Sequence, residues 1–134
     1  MNEKRRLLGM TLDELKGVAF EAGLPGYAAK QMADWLYKKK VTSIAAMTNI
    51  ASAKRALLEK NFEVGAVPPS DLMKSVDGTI KYLYPAGPGN FVESVYIPTE
   101  DRATLCVSSQ VGCKMNCLFC MTGKQGFTKN LSAN

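Results

Sequence analysis

The chain predicts an α+β protein, and three observations carry the prediction. Apolar residues recur at helical spacing through roughly the first 60 positions, and beyond Val67-Pro68-Pro69-Ser70 the period changes to two. Three of the four cysteines then crowd into eight residues, Cys113-Lys114-Met115-Asn116-Cys117-Leu118-Phe119-Cys120. The expected organisation is a helical accessory domain over 1–66, an antiparallel hairpin or meander over 67–102, and a strand entering the cysteine loop over 103–134.

Thr11-Leu12-Asp13-Glu14 fits a capping box, in which the Thr hydroxyl and the Glu carboxylate each accept from a free backbone donor at a helix start. Leu12, Leu15, Val18, Ala19 and Ala22 follow at helical spacing and Gly23 terminates, so a helix is predicted over 12–22. Leu24-Pro25-Gly26 turns the chain into a second helix whose apolar face is Ala28, Met32, Trp35 and Leu36. It closes on Lys38-Lys39-Lys40, where a helix dipole favours cations; these lysines and Lys30 are equally candidates for phosphate contacts. A short turn over 43–47 and a third helix over 50–60, using Ala53, Leu57 and Leu58, complete the domain. Two helices joined through a Gly-containing turn resemble helix-hairpin-helix nucleic-acid modules, and an ordinary helical bundle fits the same pattern.

After the Pro pair, 71–76 and 79–84 flank Asp77-Gly78, a strong hairpin signal. Pro85-Ala86-Gly87-Pro88-Gly89-Asn90 is a second turn, and 91–97 is a third strand. Glu93 is then the one charge on its face, beside Phe91, Val95 and Ile97. A strand edge accounts for such a residue, and so does a functional carboxylate, which an apolar wall strengthens as a base. The run 103–109, containing Cys106, reads as a buried strand that feeds the cysteine loop.

Charge is unevenly spread. The net +5 comes from residues 1–62, with eleven Lys and Arg against six Asp and Glu, while 63–134 carry six of each. A basic half-chain attracts phosphate backbones, and a modest surplus also merely keeps a helical domain soluble. No stretch is apolar and long enough to span a membrane, and Lys4-Arg5-Arg6 is not followed by the apolar core of a signal peptide. The expectation is a cytoplasmic protein without a membrane partner, in whose reducing compartment clustered cysteines bind metal or do chemistry.

Three thiolates from one short loop suit a [4Fe–4S] cluster, each taking one iron and leaving the fourth open. Zinc ranks second: the chain has no histidine, and recruiting Cys106 yields spacings foreign to structural zinc sites. A cysteine-lined helix face ranks third, because Gly112, Gly123 and the polar Lys114 and Asn116 favour a loop.

The C-x3-C-x2-C pattern with Phe119 before its last cysteine resembles the signature of radical S-adenosylmethionine enzymes. The flanking Asp101-Arg102-Ala103-Thr104-Leu105-Cys106-Val107-Ser108-Ser109-Gln110-Val111-Gly112-Cys113 and Gln125-Gly126-Phe127 resemble, more narrowly, the RNA methyltransferases that modify carbon 2 of adenine in 23S ribosomal RNA and transfer RNA. The resemblance implies a radical SAM partial barrel beginning at the strand over 103–109 and broken off at Asn134, hence a piece of a larger enzyme. It implies Cys113, Cys117 and Cys120 as cluster ligands, Phe119 beside the adenine of S-adenosylmethionine, and chemistry through a 5′-deoxyadenosyl radical. It also implies Glu93 as the base that removes the carbon-2 proton, and Cys106 as the thiol that forms a transient disulfide with a methyl-carrying cysteine absent from this sequence. A piece lacking that cysteine is expected to be inactive by itself. Ribosomal RNA, transfer RNA and a flavodoxin-type electron donor are the implied partners, for a monomer. A relative that methylates carbon 8 shares the cysteine spacing, and an RNA-binding module with a zinc-loaded loop is the alternative of another class.

Overall fold

The structure, a computed structural model, describes residues 4–133, which divide into two compact units at Ala66/Val67. In the first unit, β1 (Arg5–Arg6) pairs in parallel with β2 (Phe62–Glu63), and between them run α1 (Leu12–Glu21), α2 (Tyr27–Ala33) and α3 (Ser52–Asn61). The core is Leu7, Leu15, Val18, Ala19, Met32, Leu36, Met47, Leu58 and their neighbours.

Helix α1 forms where its local chemistry directs. The Thr11 hydroxyl accepts from Glu14 N at 3.3 Å, and Thr11 N donates to Glu14 Oε2 at 2.6 Å. At the other end Leu24 N donates to Ala19 O and Gly23 N to Phe20 O, with Gly23 at φ +60°, a Schellman closure that only glycine enters without strain. Thr11→Ala is expected to cost about 1 kcal/mol of stability, read by urea unfolding of the first unit. The Thr11 backbone N–H holds the Glu14 carboxyl below its ordinary range. The Thr11 hydroxyl adds to this, donating to Glu14 Oε2 at 2.8 Å, and is the part that Thr11→Ala removes while the backbone N–H stays. That part is present above the ordinary glutamate range and is lost as pH falls through the lowered folded value, so the difference between Thr11→Ala and the parent narrows in acid.

The second helix departs from the prediction at its end. Asp34–Lys38 form a π-helical turn, with Lys39 N donating to Asp34 O. This wider turn aims two aromatics at partners: Trp35 Nε1 donates to Asn49 Oδ1 at 2.5 Å, while the Tyr37 hydroxyl donates to Met10 O and accepts from Gly9 N. In α3, Ala53 and Leu57 are exposed and Leu58 alone is buried. The helix is instead stitched down by cations with long stems, Lys54 Nζ donating to Ala22 O at 3.0 Å and Arg55 to Ala45 O. The β1–β2 pairing was not anticipated. It turns Arg5 over the Phe62 ring at 4.3 Å and pairs Arg5 with Glu21 and Arg6 with Glu63.

The second unit holds a four-stranded antiparallel sheet in the order β3 (Asp71–Lys74), β4 (Ile80–Pro85), β5 (Phe91–Pro98) and β6 (Ala103–Cys106). The hairpin forms at Asp77-Gly78 as expected, with Gly78 at φ +84° and Gly78 N donating to Ser75 O. The run 103–109 is not one buried strand. Its first four residues close the antiparallel sheet against β5, so no structural boundary falls at 102/103, and Leu105 and Val107 are 61% and 67% exposed. The apolar run signals a capacity for burial, and nothing among the described residues covers it. The chain then forms β7 (Gln110–Gly112), the cysteine loop, the short α4 (Met121–Lys124) and β8 (Phe127–Asn130), with β7 and β8 antiparallel.

Candidate active site

The cysteine loop is closed at its base by backbone. Gly112 sits at φ +71°, and a Cβ there would lie 1.6 Å from the Gly126 carbonyl oxygen, which accepts from Cys113 N at 3.1 Å. Gly123 is also tightly packed, though less so: a Cβ would meet Cys117 N at 2.9 Å. Residues 113–120 are irregular rather than helical, with Asn116 at φ +48°, which removes the reading of a cysteine stripe on a helix face.

Within the loop Cys113, Cys117 and Cys120 are half-buried and free of disulfides. Backbone N–H groups point at sulfur. Met115 N lies 3.4 Å from Cys113 Sγ, and Cys120 stands at the N-cap position of α4, where the Gly123 N–H, and less strongly Thr122, hold its thiol below the ordinary cysteine range. A lowered thiol is a better metal ligand, because the thiolate is what binds. Among the described residues no three His, Cys, Asp or Glu side chains converge on one ion position. A cluster asks for something else, one iron per thiolate on sulfurs held apart, and three free thiols on one glycine-braced loop fit that demand. Phe119 is 93% exposed and anchors nothing.

Glu93 and Cys106 share one face of the sheet. Cys106 lies opposite Val95, so the two are diagonal neighbours on adjacent strands. The Ser108 hydroxyl donates to the Glu93 carbonyl at 2.8 Å, holding β5 beyond the last β5–β6 pair. The wall around Glu93 is not purely apolar: its carboxylate is exposed and pairs with Lys81 Nζ at 3.0 Å, a partner that the strand pattern did not disclose. A groove of about 310 Å³ is lined by Tyr82, Tyr84, Val92, Ser94, Leu105 and Val107, which alternation places on the opposite face, together with Glu93 and Ser108.

The basic candidates of the first unit differ in their engagement. Lys38 pairs with Asp34 at 2.9 Å and the Lys39 ammonium stacks on Trp35 at 3.4 Å, whereas Lys30 and Lys40 are exposed, the latter at φ +53°. No helix of the described residues is long and apolar enough to cross a membrane.

A solved radical SAM methyltransferase from Sphaerobacter thermophilus superimposes with a TM-score of 0.85 at 37% identity, over 95% of this chain and 38% of that one. The α+β fold is thus that of the matching part of a radical SAM methyltransferase. Residues 5–64 match the ribosomal RNA large subunit methyltransferase N-terminal domain. Proteins described as probable dual-specificity RNA methyltransferase RlmN are 81% identical in Parabacteroides distasonis and 63% identical in Bacteroides thetaiotaomicron, each over all 134 residues. The chain is similar to these RlmN proteins along its whole length and spans 39% of theirs.

Proposed function

We propose that this chain works within a polypeptide of its relatives' length, as part of a radical SAM methyltransferase that places a methyl group on carbon 2 of adenine in 23S ribosomal RNA and transfer RNA. The observation that carries the reading is the loop of three half-buried thiols with N–H groups aimed at sulfur and a glycine-locked base.

Cys113, Cys117 and Cys120 would hold a [4Fe–4S] cluster, which when bound supplies the electron for reductive cleavage of S-adenosylmethionine. Phe119, fully available beside Cys120, is placed to lie against the adenine of that cofactor. Glu93 takes the carbon-2 proton as general base, and Cys106, on the same face, supplies the thiol that releases the methylated base. The sequence contexts of Glu93 and Cys106 support carbon 2 over carbon 8. Lys30 and Lys40 are the free cations of the proposed RNA contact, with Lys38 and Lys39 available by exchanging Asp34 and Trp35 for phosphate. The protein acts in the cytoplasm as a monomer, with a flavodoxin-type donor reducing the cluster.

Mass spectrometry of adenosine from treated RNA tests the position: 2-methyladenosine is expected, and an 8-methyl product overturns the assignment. Glu93→Gln is expected to lower kcat by about 10²–10⁴-fold with RNA affinity unchanged, followed by single-turnover methylation and filter binding.

A further inference from the structure

The Lys81–Glu93 pair has a part in none of the roles assigned above. Glu93 lies opposite Leu83 and Lys81 opposite Val95, so the lysine crosses a rung diagonally to place Nζ 3.0 Å from Glu93 Oε1. Strand alternation and register give that face of the sheet three charged members, Asp71 on β3, Lys81 on β4 and Glu93 on β5, with Cys106 on β6. Lys81 is its one cation. An exposed pair of this kind, with side chains 46% and 56% accessible, adds little to stability, so folding does not account for it.

Geometry does. A glutamate has three rotatable bonds, and a base must come within hydrogen-bond reach of the proton it takes. The Glu93 backbone is held by the ladder and by Ser108, but only Lys81 touches its carboxylate among the contacts described. We infer that Lys81 is a positioning residue: its ammonium fixes the Glu93 carboxylate on the face that carries Cys106. Lys81 makes and breaks no covalent bond. This inference rests on the reading of Glu93 as the base.

The test uses the polypeptide of full relative length, reconstituted with iron and sulfide. Lys81→Met is expected to lower kcat by roughly 10–100-fold, the scale of an ångström-sized misplacement, with KM for RNA, iron content and melting temperature unchanged. Lys81→Arg restores most of the loss, and in a Glu93→Gln background Lys81→Met has no further effect. A normal kcat for Lys81→Met beside an inactive Glu93→Gln overturns the positioning role and leaves the base in place. A raised KM with a flattened salt dependence also overturns it, making Lys81 a phosphate contact. Full activity in Glu93→Gln removes the base reading and this inference with it.

Discussion

Cys113→Ser, Cys117→Ser and Cys120→Ser are each expected to abolish RNA methylation in a polypeptide of the relatives' full length. Each variant, purified without oxygen and reconstituted, is expected to lack the broad visible absorption that dithionite should bleach in the parent. The reason is ligand count. Three thiolates would hold three irons, no histidine lies among these 134 residues to substitute, and a serine hydroxyl stays protonated where the Cys120 thiol is already biased toward its anion by the Gly123 N–H. Cys106→Ser is the control. It lies on β6, outside the loop, so it keeps the absorption while losing turnover. Tight zinc in the parent with no such band would defeat the cluster assignment.

Gly112→Ala has the second largest effect, and Gly126→Ala calibrates it. Both glycines sit at φ +71°, a region that costs other residues roughly 1–2 kcal/mol. A Cβ at Gly126 meets nothing within 4 Å, whereas at Gly112 it would lie 1.6 Å from a carbonyl oxygen of backbone, which cannot swing aside. Gly126→Ala therefore keeps its iron with a small loss of stability. Gly112→Ala must part β7 from β8, and the expected result of anaerobic reconstitution is near-complete loss of bound iron. Equal iron in the two variants would mean that the base of the loop is not what holds the cysteines in place.

The features legible in the sequence are those set by near neighbours. The Thr11 cap, the Gly23 closure, the Asp77-Gly78 hairpin and the cysteine spacing each depend on a few adjacent residues, and the structure carries each of the first three with its expected chemistry. The features missed depend on distant partners. Arg5 and Phe62 pair across 57 positions, and neither has a local pattern that announces a strand. Lys54 and Arg55 point inward because carbonyls of Ala22 and Ala45 wait there, against the rule that cations face water. Lys81 and Glu93 come together through the register of β4 on β5, which the turn at 85–90 does not specify in advance. A count of diagonal partners across that turn was the available signal. Ala103–Cys106 misled for a related reason: an apolar run reports that a strand could be covered, not which sheet it joins.

The division at Ala66 has a consequence during translation. Every member of the main hydrophobic core lies before that point, whereas the second unit buries only Ala86 and Val111 among its described apolar side chains. At ~5–20 residues per second the ribosome needs roughly two to nine seconds to travel from Ala66 to Cys113, ample time for a small helical module, which folds in microseconds to milliseconds. The first unit is thus expected to be folded before the thiols of the second have been made, so that a cluster would be loaded onto a polypeptide whose amino-terminal core is already settled.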